Sequence, residues 1–204
     1  RLSTLVNAFL LIAVPLGLIY RQPDLGTMLV FVSIGMGMLL ISGAQVKHIV
    51  ITSLLGIIAI FLLLNLDELG GPSLLRQTQE NRLTAFLDPE YDPQGASYNL
   101  RQSEIAIGAG GVKGQGWLKG SQTNLNLVPE QKTDFIFTAL GEEFGFLGCS
   151  ILLLLYAYLL ARIWWIARTS SDLFGSFICV GVLSMFAFQI FQNVGMTMGI
   201  MPIT

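Results

Sequence analysis

The sequence predicts an all-α, polytopic membrane fold, a helical bundle with one long structured extracytoplasmic loop, and three observations carry that expectation. The chain has 204 residues, 53% hydrophobic and only 12% charged, whereas water-soluble domains carry about 25% charged residues. Its mean hydropathy is +0.67, so lipid must solvate much of its surface. The apolar residues also fall into five long runs, 5–20, 28–44, 49–66, 135–166 and 173–200. A helix needs about 20 predominantly apolar residues to cross a hydrocarbon core roughly 30 Å thick, and each run is read as one transmembrane helix.

Taken in order, the first run ends at Arg21-Gln22-Pro23-Asp24. Proline cannot continue a helix, and aspartate directly after it suits the N-cap of the next. The second and third runs are separated by Lys47 and His48, read as a solvated flank; a lone histidine makes no metal site. From Asp67 to Lys132 the hydropathy collapses, and Asp67, Glu68, Glu80, Asp88, Glu90, Asp92, Glu104 and Glu130 cluster there. A structureless loop of that length is uncommon in a compact domain, and its texture predicts order. Residues 83–87 are apolar and stop at Asp88-Pro89, and Ile105-Ala106-Ile107 leads into a run holding Gly108, Gly110, Gly111, Gly114, Gly116 and Gly120. Glycine allows tight turns and close approach, and Trp117 in their midst is suited to a membrane interface. Short helices and turns lying on the membrane are expected, within a single membrane domain covering 1–204 with the loop at 67–132.

The fourth run is entered through Pro129-Glu130-Gln131-Lys132-Thr133-Asp134 and holds Glu142 and Glu143 about two turns further in. Its length predicts a lead-in segment above the bilayer. The fifth run is broken near its end by Pro202. Arg1, Lys47, Arg162 and Arg168 fall on one side of the alternating spans and Arg21 on the other. The positive-inside rule then sets the first group in the cytoplasm, with the long loop, Asp24, Asp134 and Met201-Pro202 outside. Cys149 and Cys179 sit in apolar runs and are expected to pack as small hydrophobes. A net charge of −2 without a basic cluster gives no nucleic-acid-binding field. No Walker A pattern is present, and Gly108-x-Gly110 lacks the third glycine of a dinucleotide fingerprint.

Several motifs then occur in a telling order: Gln22-Pro23-Asp24-Leu25-Gly26-Thr27; Gln102-Ser103 with Ile105-Ala106-Ile107-Gly108; Pro129-Glu130 with Thr133-Asp134-Phe135-Ile136-Phe137; and Asn193-Val194-Gly195 with Gly199 and Pro202. Together they resemble the SEDS family of bacterial membrane proteins (RodA, FtsW, SpoVE). Gly116-Trp117-Leu118-Lys119-Gly120-Ser121-Gln122 is similar to the rod-shape branch rather than the division branch. The likeness spans nearly the whole chain. It departs in extent, since members have about ten spans, which implies a fragment, and at Lys132, where the family usually has histidine.

The resemblance implies a peptidoglycan glycosyltransferase of the bacterial cytoplasmic membrane, with its active site facing outside and a role in cell elongation. Its substrate would be lipid II. Its partners would be a class B penicillin-binding protein supplying transpeptidation, other membrane proteins of the elongation complex, and membrane lipids. Such chemistry needs a base for the acceptor hydroxyl, donors or cations for the departing diphosphate, and a groove for polyprenyl tails. Asp134 is the candidate catalytic base, as family carry-over also implies; otherwise it caps the fourth helix. Asp24 is either a second acid near the site or a cap. Arg101, Lys113 and Lys119 are candidates for the diphosphate, with glycine-rich backbone N–H groups beside them, or else solvate the loop and touch anionic headgroups. Glu142 is a candidate substrate contact, with an interfacial charge as the alternative, and Glu143 faces about 100° away. Gln189, Gln192 and Asn193 form a stripe suited to interhelical hydrogen bonds. A divalent cation, Mg or Mn, is compatible with the diphosphate, although no ligand set is legible. Two readings from other classes stand beside the enzyme. A lipid II flippase should carry intramembrane charge reaching both faces, whereas a non-catalytic scaffold should tolerate loss of Asp134.

Overall fold

The computed structural model describes residues 2–22, 24–43, 47, 50–51, 54, 84, 86, 96–125 and 133–203. Its helices, in order, are α1 (Leu2–Arg21), α2 (Leu25–Ile41), α3 (Ala96–Gly110), α4 (Ser121–Asn124), α5 (Ile136–Thr169) and α6 (Leu173–Thr197), with no strand among the described residues. Two of them, α5 and α6, are long and apolar enough to cross a membrane; α1 and α2 contribute the shorter apolar helices Leu10–Ile19 and Leu25–Ile41. Most of the third expected span, most of 67–95 and the stretch 126–132 lie outside the described residues. The chain forms two compact units, residues 1–80 with 163–188, and residues 81–162 with 189–204.

In the first unit, α1 tolerates Pro15 in its interior, as membrane helices do when neighbouring groups re-satisfy the freed carbonyl. Asp24 caps α2. Its Oδ1 accepts from the Thr27 N–H at 2.9 Å and its Oδ2 from the Thr27 hydroxyl at 2.6 Å. Small residues then let α2 and α6 approach: a Cβ on Gly37 would collide with the Ser184 hydroxyl, and the Ser33 hydroxyl donates to the Ser184 carbonyl at 3.3 Å. Lipid tails are as apolar as the side chains they would replace, so close backbone contact and such bonds drive helix association here.

The second unit is organised around an interruption of α5. In an unbroken helix the carbonyls of Glu142 and Glu143 would accept from the N–H groups of Phe146 and Leu147. Gly145, at φ 64° and ψ −164°, turns those donors away. The loop after α3 re-pairs all four groups. Phe146 N–H donates to the Gly111 carbonyl at 2.9 Å and Leu147 N–H to that of Val112 at 3.1 Å, while Gln115 and Gly116 N–H donate to the carbonyls of Glu142 and Glu143, each at 2.9 Å. An irregular backbone at membrane depth is tolerated only where protein satisfies it, and this loop does so. A Cβ on Gly145 would collide with the Gly114 nitrogen and lie 2.8 Å from the Gly111 carbonyl oxygen. One turn away, a Cβ on Gly110 would strike the Gly141 carbonyl, so α3 and α5 cross in backbone contact. The break thus divides α5 into 136–144 and the apolar stretch 146–169.

At the other end of this unit, α6 finishes in a Schellman motif. Gly199 takes φ 69°, and Ile200 N–H reaches back to the Gly195 carbonyl at 2.8 Å. That turn returns Ile203 to the core pair Ala106 of α3 and Phe135.

Candidate active site

Asp134 lies in the turn 133–135 that precedes α5. Its neighbour Phe135 is 2% exposed and packs with Ala106 and Ile203, while its carbonyl accepts from Thr138 N–H at 3.1 Å and Ala139 N–H at 3.4 Å. Asp134 itself is exposed. Its backbone carbonyl accepts from the Asn193 side-chain amide of α6 at 3.0 Å, and among the described residues no hydrogen bond reaches its carboxylate. The turn is therefore held by its backbone and by the adjacent aromatic ring, which leaves the acid open.

Beneath the turn is a buried hydroxyl relay that sequence reasoning did not single out. The Ser103 hydroxyl of α3 donates to the Thr197 carbonyl at 2.8 Å. A serine has one proton to give, so the 2.5 Å contact between Ser103 and Thr138 has Thr138 as donor. This ties α3, the start of α5 and the end of α6 together. Its signal in the sequence was Ser103 on the same helix stripe as Leu100, Ala106 and Ile107, where a buried hydroxyl must find a partner. Glu104 stands next to this junction: a Cβ on Gly199 would come within 2.6 Å of its Oε1. Asn193, expected as interhelical glue, donates instead to the backbone of the turn before α5, at the candidate base.

Glu142 has a different fate. It is 0% exposed, and its Oε1 accepts from the Gln122 N–H at 2.7 Å and the Ser121 hydroxyl at 3.2 Å, its Oε2 from the Thr123 N–H at 2.9 Å and the Thr123 hydroxyl at 2.5 Å. It thus caps α4 from another helix. The residue at the cap position of α4 is Gly120, which has no side chain to do so. Four donors and no acceptor around the group suit the carboxylate form, and little of it remains to meet a ligand. Glu143 is buried too, and its carbonyl holds Gly116.

The cationic candidates belong to the same unit: Arg101 is exposed on α3, and Lys113 and Lys119 are exposed on the loop 111–120. Asp24 lies in the other unit, with both carboxylate oxygens engaged by Thr27. Among the described residues no three His, Cys, Asp or Glu side chains gather as metal ligands. Cys149 and Cys179 are free thiols, the first buried.

The arrangement is an exposed carboxylate on a rigid turn at the mouth of a membrane helix, with a glycine-rich, lysine-bearing loop built into the same unit. A sequence model of the FtsW/RodA/SpoVE cell cycle proteins matches residues 1–204. The chain belongs to this family, the SEDS proteins, and is a membrane protein. Among its curated relatives, the peptidoglycan glycosyltransferase MrdB of Escherichia coli K12 is 40% identical over 196 residues, covering 96% of this chain and 51% of MrdB. RodA of Treponema pallidum, also named a peptidoglycan glycosyltransferase, is 47% identical over 137 residues, covering 67% of this chain and 32% of that one. Stage V sporulation protein E of Bacillus subtilis is 39% identical over 187 residues, covering 92% and 48%. The chain thus spans about half the length of MrdB. In three dimensions it is similar to a chain of a solved peptidoglycan synthase complex that coordinates polymerization and crosslinking, with TM-score 0.71, 29% identity, and coverage of 97% of this chain and 52% of the other.

Proposed function

We propose that this chain carries part of the active site of a peptidoglycan glycosyltransferase that polymerises lipid II at the outer face of the bacterial cytoplasmic membrane, with Asp134 as the general base. The single observation that carries the assignment is the exposed Asp134 carboxylate, free of hydrogen bonds from described residues, on a turn anchored by Phe135 and Asn193. The names of the SEDS relatives support the reaction class, and the likeness of the Trp117 segment to the rod-shape branch supports a role in elongation. The positive-inside count supports the orientation. A neighbour that couples polymerization to crosslinking supports a transpeptidase partner, which we take to be a class B penicillin-binding protein.

In this mechanism the 4-hydroxyl oxygen of the acceptor sugar attacks the anomeric carbon of the donor. The new C–O bond forms as the bond from that carbon to the polyprenyl diphosphate oxygen breaks. The hydroxyl proton passes to the Asp134 carboxylate, and the electron pair leaves with the diphosphate. An open carboxylate suits this work because a base must come within hydrogen-bond reach of the hydroxyl. Charge that develops on the leaving group must be met by cations or backbone N–H donors near the diphosphate.

The test is lipid II polymerisation by the full-length protein with its transpeptidase partner in liposomes, wild type against Asp134→Asn. Asparagine keeps size and hydrogen bonding and removes the base. Loss of glycan chains in a folded, partner-bound variant supports the assignment; polymerisation at the wild-type rate refutes Asp134 as base. A wild type that makes no polymer would refute the reaction class and favour a flippase.

A further inference from the structure

The loop 111–125 carries an exposed apolar surface that the catalytic proposal does not use. Val112, Trp117, Leu118 and Leu125 are each between 63% and 68% exposed, although water disfavours every one of them. Leu118 even adopts φ 57°, a left-handed conformation that a non-glycine residue rarely takes. Lys113 and Lys119 are exposed among them, and residues 111–125 contain no acidic side chain. Glu142, which touches this segment, is saturated by the donors of α4, and Glu143 is buried. The surface is therefore apolar and cationic at once.

Its depth is set by the backbone. Val112 accepts from Leu147 N–H at 3.1 Å, and the Trp117 ring meets that of Phe144 edge-on at 5.6 Å. Immediately beyond Phe144 begins the exposed apolar face of α5: Phe146, Leu147, Ile151, Leu154 and Leu155. The loop is thus fastened beside the exposed apolar surface of a membrane helix, and its own apolar residues continue that surface. Tryptophan and lysine at this level match the amphipathic interface of a bilayer, the ring among glycerol and upper acyl groups and the ammonium groups at phosphates.

We propose that residues 112–125 form an interfacial foot that inserts Trp117 and Leu118 into the outer leaflet and binds anionic phospholipid headgroups through Lys113 and Lys119. The occupant is the bilayer itself, argued from charge complementarity and from continuity with the lipid-facing side of α5. This inference takes the leaflet from the proposed orientation and otherwise rests on the fold; it stands whether or not Asp134 is the base.

The test uses the full-length protein in nanodiscs of phosphatidylcholine or of phosphatidylglycerol, each brominated on the upper acyl chain. Trp117 fluorescence is taken as the difference between wild type and Trp117→Phe, with unchanged melting confirming that the variant is folded. Trp117 is expected to be quenched by both lipids, about twofold more by phosphatidylglycerol at low salt, with the excess lost in the Lys113→Gln/Lys119→Gln variant. Quenching by aqueous acrylamide and not by either lipid would overturn the proposal, leaving the foot in water. Shielding from both quenchers would overturn it too, by showing that protein covers the patch. Equal quenching by the two lipids, unaffected by the lysine changes, would refute headgroup recognition.

Discussion

Asp134 and Glu142 belong to one segment of chain, carry the same functional group and were both nominated as site residues, yet their surroundings are opposite. Glu142 is fully buried and receives four hydrogen bonds from Ser121, Gln122 and Thr123. Asp134 is exposed and is held only through its backbone. A carboxylate deep in an apolar helix must be matched by donors, because removing it from water costs several kcal/mol otherwise. When those donors are protein groups, the acid serves the fold. When they are missing and the backbone is fixed, the acid is available for chemistry.

Four substitutions would sharpen or break that contrast. Asp134→Asn should lower polymerisation about 10²- to 10⁴-fold, the usual worth of a general base, with thermal stability changed by less than about 0.5 kcal/mol. A large loss of stability would instead make this turn a structural element like the other. Gly145→Ala should destabilise the protein by about 3 kcal/mol or more, since positive φ and the collision with Gly114 act together. It should also open the loop 111–125 to protease, and an unchanged melting curve would contradict the spliced helix. Glu142→Gln should cost about 1.5–3 kcal/mol, because an amide has one acceptor oxygen where two served and presents N–H groups to donors. Activity should then fall only as far as folding does. Retained stability with abolished activity would move Glu142 into the substrate site. The smallest effect is expected at Asp24→Ala, about 1 kcal/mol for a lost N-cap, largely restored by Asp24→Ser in the same melting assay.

The apolar helices α1, α2, α5 and α6 were legible because lipid imposes a long run of apolar side chains on anything that crosses it. The Asp24 cap was legible because its donor, Thr27, is three residues away. The break of α5 at Gly145 was not read from the sequence, although Gly141, Gly145 and Gly148 recur within that helix. Glu142 was read as a site residue because its depth was visible and its partners were not. The absent side chain at Gly120, before Ser121-Gln122-Thr123, was the available hint that a cap must come from elsewhere.

Hydropathy and near-neighbour capping are local quantities, summed over adjacent residues, and the chain carries them wherever it is read: membrane class, helix positions, the Asp24 cap and the family motifs all follow from them. Where the backbone groups freed at Gly145 find partners, and which acid is satisfied and which left open, depends on segments 19 or more residues apart meeting at hydrogen-bond distance. That pairing is a property of the folded unit, since a buried donor or acceptor is matched by whichever group the packing of α3, α5 and α6 brings to it.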